Sequence, residues 1–496
     1  MLFNSLDYLL FLPAVVLCCS FLKNVKLRNI FLLAASYFFY MNWNAAYALL
    51  LFGSTFVTYT GALILDRIPA NKSPKKRKLC LVVCLVLNLA VLCLFKYAGM
   101  IENGVNAAGS LFGLAPLSFG IDLVLPVGIS FYTLQALGYL IDVYRGDVPC
   151  EKDFVTYALF VSFFPQLVAG PIERTGNLLG QLKERKPFRY EFFQKGLYLV
   201  LYGLLIKMAI ADNLAVIVDA VYNDPVTYGG WYIVFATFLF AIQIYCDFYG
   251  YSVIAKGSAA LLGIDLMSNF EAPYYSGSVR EFWRRWHISL STCFRDYLYI
   301  PLGGSRKGEV RKNLNLLAVF LVSGLWHGAS LAFVLWGFLN GLYQVAGSIF
   351  RRLFKRDPDQ KPSGFGRVLR TVFTFSLISL TWVFFRSGSV DSLERILRSL
   401  VGGLGDLRFF SPVNIKIFLH DTLELTYSTL IGLFVCVLLL AGIDLARYRG
   451  VPVTEKLLHK PLFIRYAVYL GLVVLILLVG AYGSKYGAQQ FIYFQF

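Results

Sequence analysis

LNLLAVFLVSGLWHGASLAFVLWGFLNGLYQVAGSIF, residues 314–350, is an apolar run long enough to cross a bilayer twice, since one helical crossing takes roughly 20 residues. Ser323-Gly324 and Gly328 interrupt it on either side of His327. The expected structure is therefore two helices with a bend that presents the imidazole to an interior cavity and keeps it from lipid. Similar runs recur near residues 9–22, 30–43, 45–65, 79–95, 123–141, 154–170, 196–218, 231–254, 368–385, 427–443 and 463–482. They are continuous and do not alternate, which argues against a β-barrel and for an all-α, polytopic membrane protein of about 11–12 transmembrane segments.

The composition agrees. With 57% hydrophobic and 15% charged residues, a chain of 496 residues is too apolar to be water-soluble. Its formal charge of +17 falls into clusters between the apolar runs: Lys23, Lys26 and Arg28; Arg67 with residues 72–78; and residues 280–312, 351–370 and 447–460. Clusters of this kind mark cytoplasmic connectors. The connectors at 101–120, 222–230 and 387–421 then face outward, and both termini are expected outside the cytoplasm. No soluble basic module interleaved with aromatics is visible, so nucleic acid is not an expected partner. The apolar stretch at residues 1–22 has no basic start and contains Asp7; it is expected to stay as a first helix. Cys18, Cys19, Cys84, Cys93, Cys246 and Cys436 sit in apolar segments without metal-ligand spacing and are expected to be small buried side chains.

Two segments depart from simple spans. Residues 154–170 end in Pro165, Gly170 and Pro171 and run on to Glu173 and Arg174, the pattern of a helix that enters and turns back. Residues 279–300 are too charged to span. Phe282, Trp286, Leu290, Phe294 and Leu298 recur every fourth residue, with Arg284, Arg285, Thr292, Arg295 and Asp296 elsewhere; this reads as one amphipathic helix at the cytoplasmic interface. His287 falls near the border of its two faces, where it serves either the chemistry or only the anchoring of the helix. No internal repeat is visible, which weakens a transporter reading.

The chain has four histidines. His420 and His459 lie in loop-like, charged surroundings, whereas His287 and His327 each follow a tryptophan beside or inside strongly apolar sequence. A side chain that accepts and returns a proton near neutral pH, placed there, marks a candidate catalytic site. An imidazole in apolar surroundings is expected to be neutral and ready to act as a base. Asp247 is read as orienting an imidazole, as completing a buried polar network, or as a cap at the interface. No HExxH or CxxC pattern accompanies the histidines, so no metal is expected.

Five ordered blocks carry a resemblance: LPVGISFYTLQ (125–135), FFPQLVAGPIER (163–174), CDFYGYS (246–252), EFWRRWHISLSTCFRDYLYIPLGG (281–304) and SGLWHGAS (323–330). On them the chain resembles the membrane-bound O-acyltransferase (MBOAT) family, in its bacterial alginate O-acetyltransferase (AlgI-type) branch. The family's D-alanyl transferase branch shares the RWH and DF-GYS elements, but DYLYIPLGG at 296–304 is closer to the acetyltransferases. The resemblance implies a helical bundle with re-entrant and interfacial helices around a central funnel. The catalytic core would span residues 122–350, between helical scaffolds at 1–121 and 351–496, all within one integral-membrane domain.

It further implies that His327 is catalytic and that His287 matches a second position important for activity, orienting the acyl donor, polarising its carbonyl or shuttling a proton. The implied donor is cytosolic acetyl-CoA, whose phosphates suit a basic vestibule; Arg284, Arg285, Arg306, Lys307, Arg311 and Lys312 lie in the right connector. The implied acceptor is an exported or cell-surface polysaccharide outside a bacterial inner membrane, reached through an extracytoplasmic acetyltransferase or acyl-carrier partner protein, with membrane lipid around the bundle. The competing readings are D-alanyl or other acyl transfer to an envelope polymer, a proton-coupled transporter that uses the histidines as relays, and a scaffold for an envelope complex.

Overall fold

The computed structural model describes residues 1–118, 120, 124–168, 170–184, 187–353, 364–482 and 491–492. Residue 123 of the 123–141 run and Lys355, Arg356 and Lys361 of the 351–370 connector lie outside them. The described residues form helices and turns with no β-strand. In order the helices are α1 (Leu6–Phe21), α2 (Val25–Met41), α3 (Tyr47–Arg67), α4 (Pro74–Ser110), α5 (Ile129–Arg145), α6 (Phe154–Ser162), α7 (Phe164–Leu167), α8 (Thr175–Lys183), α9 (Tyr190–Leu204), α10 (Asp212–Asn223) and α11 (Trp231–Leu261). They continue with α12 (Val279–Arg285), α13 (Ile288–Phe294), α14 (Gly308–His327), α15 (Leu331–Leu353), α16 (Phe365–Ser387), α17 (Val390–Gly403), α18 (Pro412–Lys416), α19 (Tyr427–Tyr448), α20 (Val453–Leu458) and α21 (Leu462–Val479).

Seven of them, α3, α4, α11, α15, α16, α19 and α21, are each long and apolar enough to cross a bilayer. The chain is a multi-pass membrane protein. The apolar runs outnumber these helices because several fold as shorter pieces. Helices α1, α2 and α5 have 16 or 17 residues, short of the roughly 20 of a straight crossing. Residues 154–170 break at Phe163, whose ψ of 111° separates α6 from α7. Residues 196–218 pass through a π-helical turn at Leu205–Ala211 between α9 and α10. Cys18 and Cys93 are exposed and not buried as expected. They lie on α1 and α4, helices apolar enough to turn such faces outward, where the neighbour of a membrane protein is lipid.

The chain divides into two compact units, Met1–Leu197 with Ala255–Met267, and Tyr198–Ile254 with Ser268–Phe496. In the first, α2 packs on α6, and α3 on α4 and α5. The Tyr157 hydroxyl donates to Thr58 Oγ1 at 2.7 Å. Arg28 is buried there, its guanidinium donating to the Leu182 and Glu184 carbonyls at 2.7 and 2.9 Å. Glu173 accepts the Met267 N–H at 2.6 Å and the Asn177 amide at 2.7 Å. Burial pushes its carboxyl up to about 7.

In the second unit α14 and α15 form a tight hairpin, and α16 packs on α15. The expected bend around His327 is present, but it lies at residues 328–330 and not at Ser323-Gly324. Gly324 stays helical and serves close packing. A β-carbon there would stand 2.3 Å from the Phe333 carbonyl oxygen, and one at Gly337 would stand 2.3 Å from that of Phe320. Backbone on backbone leaves no side chain to move aside. Gly337→Ala is therefore expected to destabilise the protein by about 1–3 kcal/mol, the usual cost of overpacking. Gly347→Ala, whose nearest neighbour would be the end of Arg351 at 3.7 Å, should melt like the wild type. Thermal unfolding of both variants in detergent makes the comparison.

Candidate active site

The 279–300 segment is not one amphipathic helix. It is α12, a break at Trp286 and His287, α13, and a π-helical turn at Arg295–Tyr299. Helix α12 starts where Ser278 Oγ accepts the Glu281 N–H at 3.2 Å while Glu281 Oε2 accepts the Gly277 N–H at 2.9 Å, a reciprocal capping arrangement. It ends because Trp286 is extended and His287 is left-handed, with φ 45°. For a residue with a β-carbon that conformation costs about 1–2 kcal/mol. The neighbouring chain offsets it by pairing the freed backbone groups. The Glu271 N–H donates to the Arg285 carbonyl at 3.0 Å and the Ile288 N–H to the Asn269 carbonyl at 2.9 Å. Asn269 Oδ1 accepts the Ser289 N–H at 3.4 Å, and its amide donates to Ser252 Oγ at 3.1 Å. The apolar residues Phe282, Trp286, Leu290 and Phe294 are nevertheless all buried. The fourfold spacing identified the inner face over these four residues, but Leu298, the fifth, is only half-buried, and the spacing missed the break.

His287 and His327 come together. Their ring centroids are 6.4 Å apart, with 59° between the planes, and both line one cavity of about 320 Å³. His327 is the last residue of α14, presented there by the turn into α15. The rings of Trp326, Trp336 and Phe385 wall it at 4.9, 5.0 and 5.4 Å. The rings of Phe248 and His287 meet nearly perpendicular, with centroids 4.6 Å apart. His287 is 1% exposed and His327 6%. Burial alone pushes the His287 imidazolium from 6.5 down to about 3, so at neutral pH the ring is uncharged and offers one N–H and one lone pair.

The cavity is apolar around the histidines, with Trp283, Leu290 and Phe320, and basic at Arg280, Arg284, Arg295, Lys312 and Arg351. Of the donor-binding candidates drawn from the sequence, Arg284 lines it and Arg285, Arg306, Lys307 and Arg311 do not. Lys312, in the same connector, also lines it. Arg285 is held by Glu281 at 3.1 Å and lies over the Tyr448 ring at 4.5 Å. Arg306, Lys307 and Arg311 are exposed. Arg280 and Arg351 lay in basic clusters legible in the sequence, but only the packing of α12 on α15 brings the clusters together. Of the readings of Asp247, the buried polar network is the one that the structure shows. Asp247 Oδ1 pairs with Lys207 Nζ at 2.6 Å deep in the unit, a lysine inside an apolar run that the sequence reading passed over. Among the described residues no group of three His, Cys, Asp or Glu side chains gathers to hold a metal ion.

The membrane-bound O-acyltransferase family model matches residues 151–387, which hold both histidines and four of the five sequence blocks. The chain is 37% identical to the probable alginate O-acetylase AlgI of Pseudomonas putida, over 90% of this chain and 87% of that protein. It belongs to the membrane-bound O-acyltransferase family. The peptidoglycan O-acetyltransferase of Helicobacter pylori is 33% identical over 77% of this chain and 75% of its own length. The teichoic acid D-alanyltransferase of Streptococcus thermophilus is 27% identical over 54% and 69%. This membrane-bound O-acyltransferase is thus an enzyme of the class that the sequence blocks indicated.

A histidine in the unfolded chain takes up a proton near 6.5, whereas His287 in the fold does so only near 3. The unfolded state therefore binds more protons in that window, and stability falls as the pH drops through it, with a slope of up to about 1.4 kcal/mol per pH unit. His287→Asn keeps a residue tolerant of the left-handed conformation and removes the titration. Its denaturant midpoint should fall less steeply than that of the wild type between pH 6.5 and 3, and equal slopes would remove the linkage.

Proposed function

We propose that this chain moves acetyl from cytosolic acetyl-CoA across the bacterial cytoplasmic membrane for O-acetylation of an exported or cell-surface polysaccharide, with an extracytoplasmic partner completing the transfer. The observation that carries the proposal is the pair of histidines lining one cavity together with five arginine and lysine side chains. The relatives named for alginate and peptidoglycan O-acetylation support the acyl group and the acceptor class.

In the proposed chemistry His327 is the base. It takes the proton of the attacking hydroxyl as that oxygen bonds to the thioester carbonyl carbon. His287, neutral and fixed, donates its N–H to the carbonyl oxygen as charge develops there. When the carbon–sulfur bond breaks, the proton held by His327 passes to the leaving thiolate. The apolar wall of Trp283, Leu290 and Phe320 limits competing water. Arg280, Arg284, Arg295, Lys312 and Arg351 are placed to receive the donor's phosphates, for which guanidinium groups are well shaped. The excess of lysine and arginine in residues 280–312 supports a mouth that opens to the cytoplasm, where the donor is made.

His327→Ala and His327→Gln, expressed at wild-type level, are expected to lower incorporation of labelled acetyl into the polymer on the order of a hundred- to ten-thousand-fold. Arg284→Glu is expected to raise KM for acetyl-CoA with a smaller change in kcat. Wild-type acetylation by the His327 variants removes the base from the proposal. Consumption of a D-alanyl thioester in place of acetyl-CoA removes the donor.

A further inference from the structure

Next to Phe248, whose ring meets His287, lies a cluster of charges that the acyl-transfer chemistry does not use. Lys207 Nζ stands 2.7 Å from Asp212 Oδ1 and 2.6 Å from Asp247 Oδ1, and all three residues are at most 3% exposed. A buried charged group demands hydrogen-bond donors and acceptors to match it. The second oxygen of Asp247 receives a donor from an unexpected place, the backbone N–H of Ile492, at 2.7 Å.

The Phe491–Ile492 segment is itself buried, at 0% and 3% exposure. The Phe491 ring packs 4.6 Å from Tyr251 and 5.6 Å from Phe248, and Lys207 Nζ lies over the Tyr251 ring at 5.5 Å. Phe248 follows Asp247 in sequence, and its ring meets the His287 imidazole nearly perpendicular, at 89°. Contacts therefore run unbroken from the ion cluster, through Phe491 and Phe248, to His287. The chain after α21 is fastened to the same place earlier on. Asn213 donates to the Val479 carbonyl at 2.8 Å, and the Ala481 N–H to the Met208 carbonyl at 3.0 Å.

We infer that Lys207, Asp212 and Asp247 form a clamp that ties Phe491–Ile492 against Phe248 beside His287, which makes Phe491 and Phe248 positioning residues for acyl transfer. This rests on the reading of His287 as part of the site. His287 sits in a left-handed backbone conformation that persists only where its surroundings over-determine it. With the Phe248 ring perpendicular against it, the imidazole is held; if Phe491 is lost, Phe248 gains room and the imidazole loses its fixed direction. Misplacement of a reacting group by about 1 Å costs on the order of a hundredfold in rate.

The test uses the full-length chain in membranes that contain the acceptor polymer, with transfer followed across radiolabelled acetyl-CoA concentrations. Phe491→Ala is expected to lower kcat on the order of 10- to 100-fold while KM for acetyl-CoA stays within about twofold. Phe491→Leu, which refills most of the space, should recover most of the rate. Ile492→Pro, which removes the N–H given to Asp247 together with the buried isoleucine side chain and restricts the Phe491 backbone, should lower kcat in the same way and covers the case in which Phe491→Ala does not fold. The clamp is overturned if kcat of Phe491→Ala, or of Ile492→Pro where the former does not fold, equals that of the wild type while His287→Ala is impaired. It is equally overturned if Phe491→Leu fails to recover the rate. Full activity of His287→Ala overturns the site reading beneath it.

Discussion

A helix cannot simply stop in an apolar interior, because each backbone N–H and carbonyl it frees must find a partner where no bulk water is at hand. The candidate site depends on how this requirement is met at Trp286 and His287. Residues 269–271 give their backbone groups to both sides of the break, accepting from Ile288 and donating to Arg285, while the Asn269 amide group bridges to Ser289 and Ser252. Without that short segment α12 and α13 would fuse, and the imidazole would turn toward the border of an interfacial helix. With it, the ring faces inward.

The second histidine reaches the same cavity by the opposite device. His327 ends a helix whose packing is set by glycines, since Gly324 and Gly337 let the backbones of α14 and α15 touch. Trp336 of α15 and Phe385 of α16 then close on the ring. One imidazole is thus held by hydrogen-bonded irregular backbone and the other by aromatic packing at a hairpin tip.

Much of this was legible in the sequence. Continuous apolar runs gave the all-α class, and their tryptophan-flanked histidines marked the candidate site, because burying an ionisable ring needs a reason. What was not legible came from long-range contact. The break at His287 left no trace in the fourfold spacing of Phe282, Trp286, Leu290 and Phe294, since all four stay buried on either side of it. Asn269, 18 residues upstream, is an ordinary polar residue until it is seen between Ser252 and Ser289. Lys207 and Asp247 lie 40 residues apart, and a lone lysine in an apolar run carries no mark of its counter-ions. Arg285, Arg306 and Lys307 share the charge and the neighbourhood of Arg284, and only the direction of each side chain separates the one that lines the cavity from those that do not.

The π-helical turn at Leu205–Ala211 amounts to one residue more than an α-helix would need over the same rise. That surplus lets Lys207 and Asp212, five positions apart, share one side of the helix and meet at 2.7 Å, where an α-helical register would set them about 140° apart. Excising a single residue here would swing everything beyond it by about 100°. In such a deletion mutant Asp212 would leave its counter-ion, and Asn213 would release the Val479 carbonyl, so that the end of α21 would lose its mooring at a site hundreds of residues away in sequence.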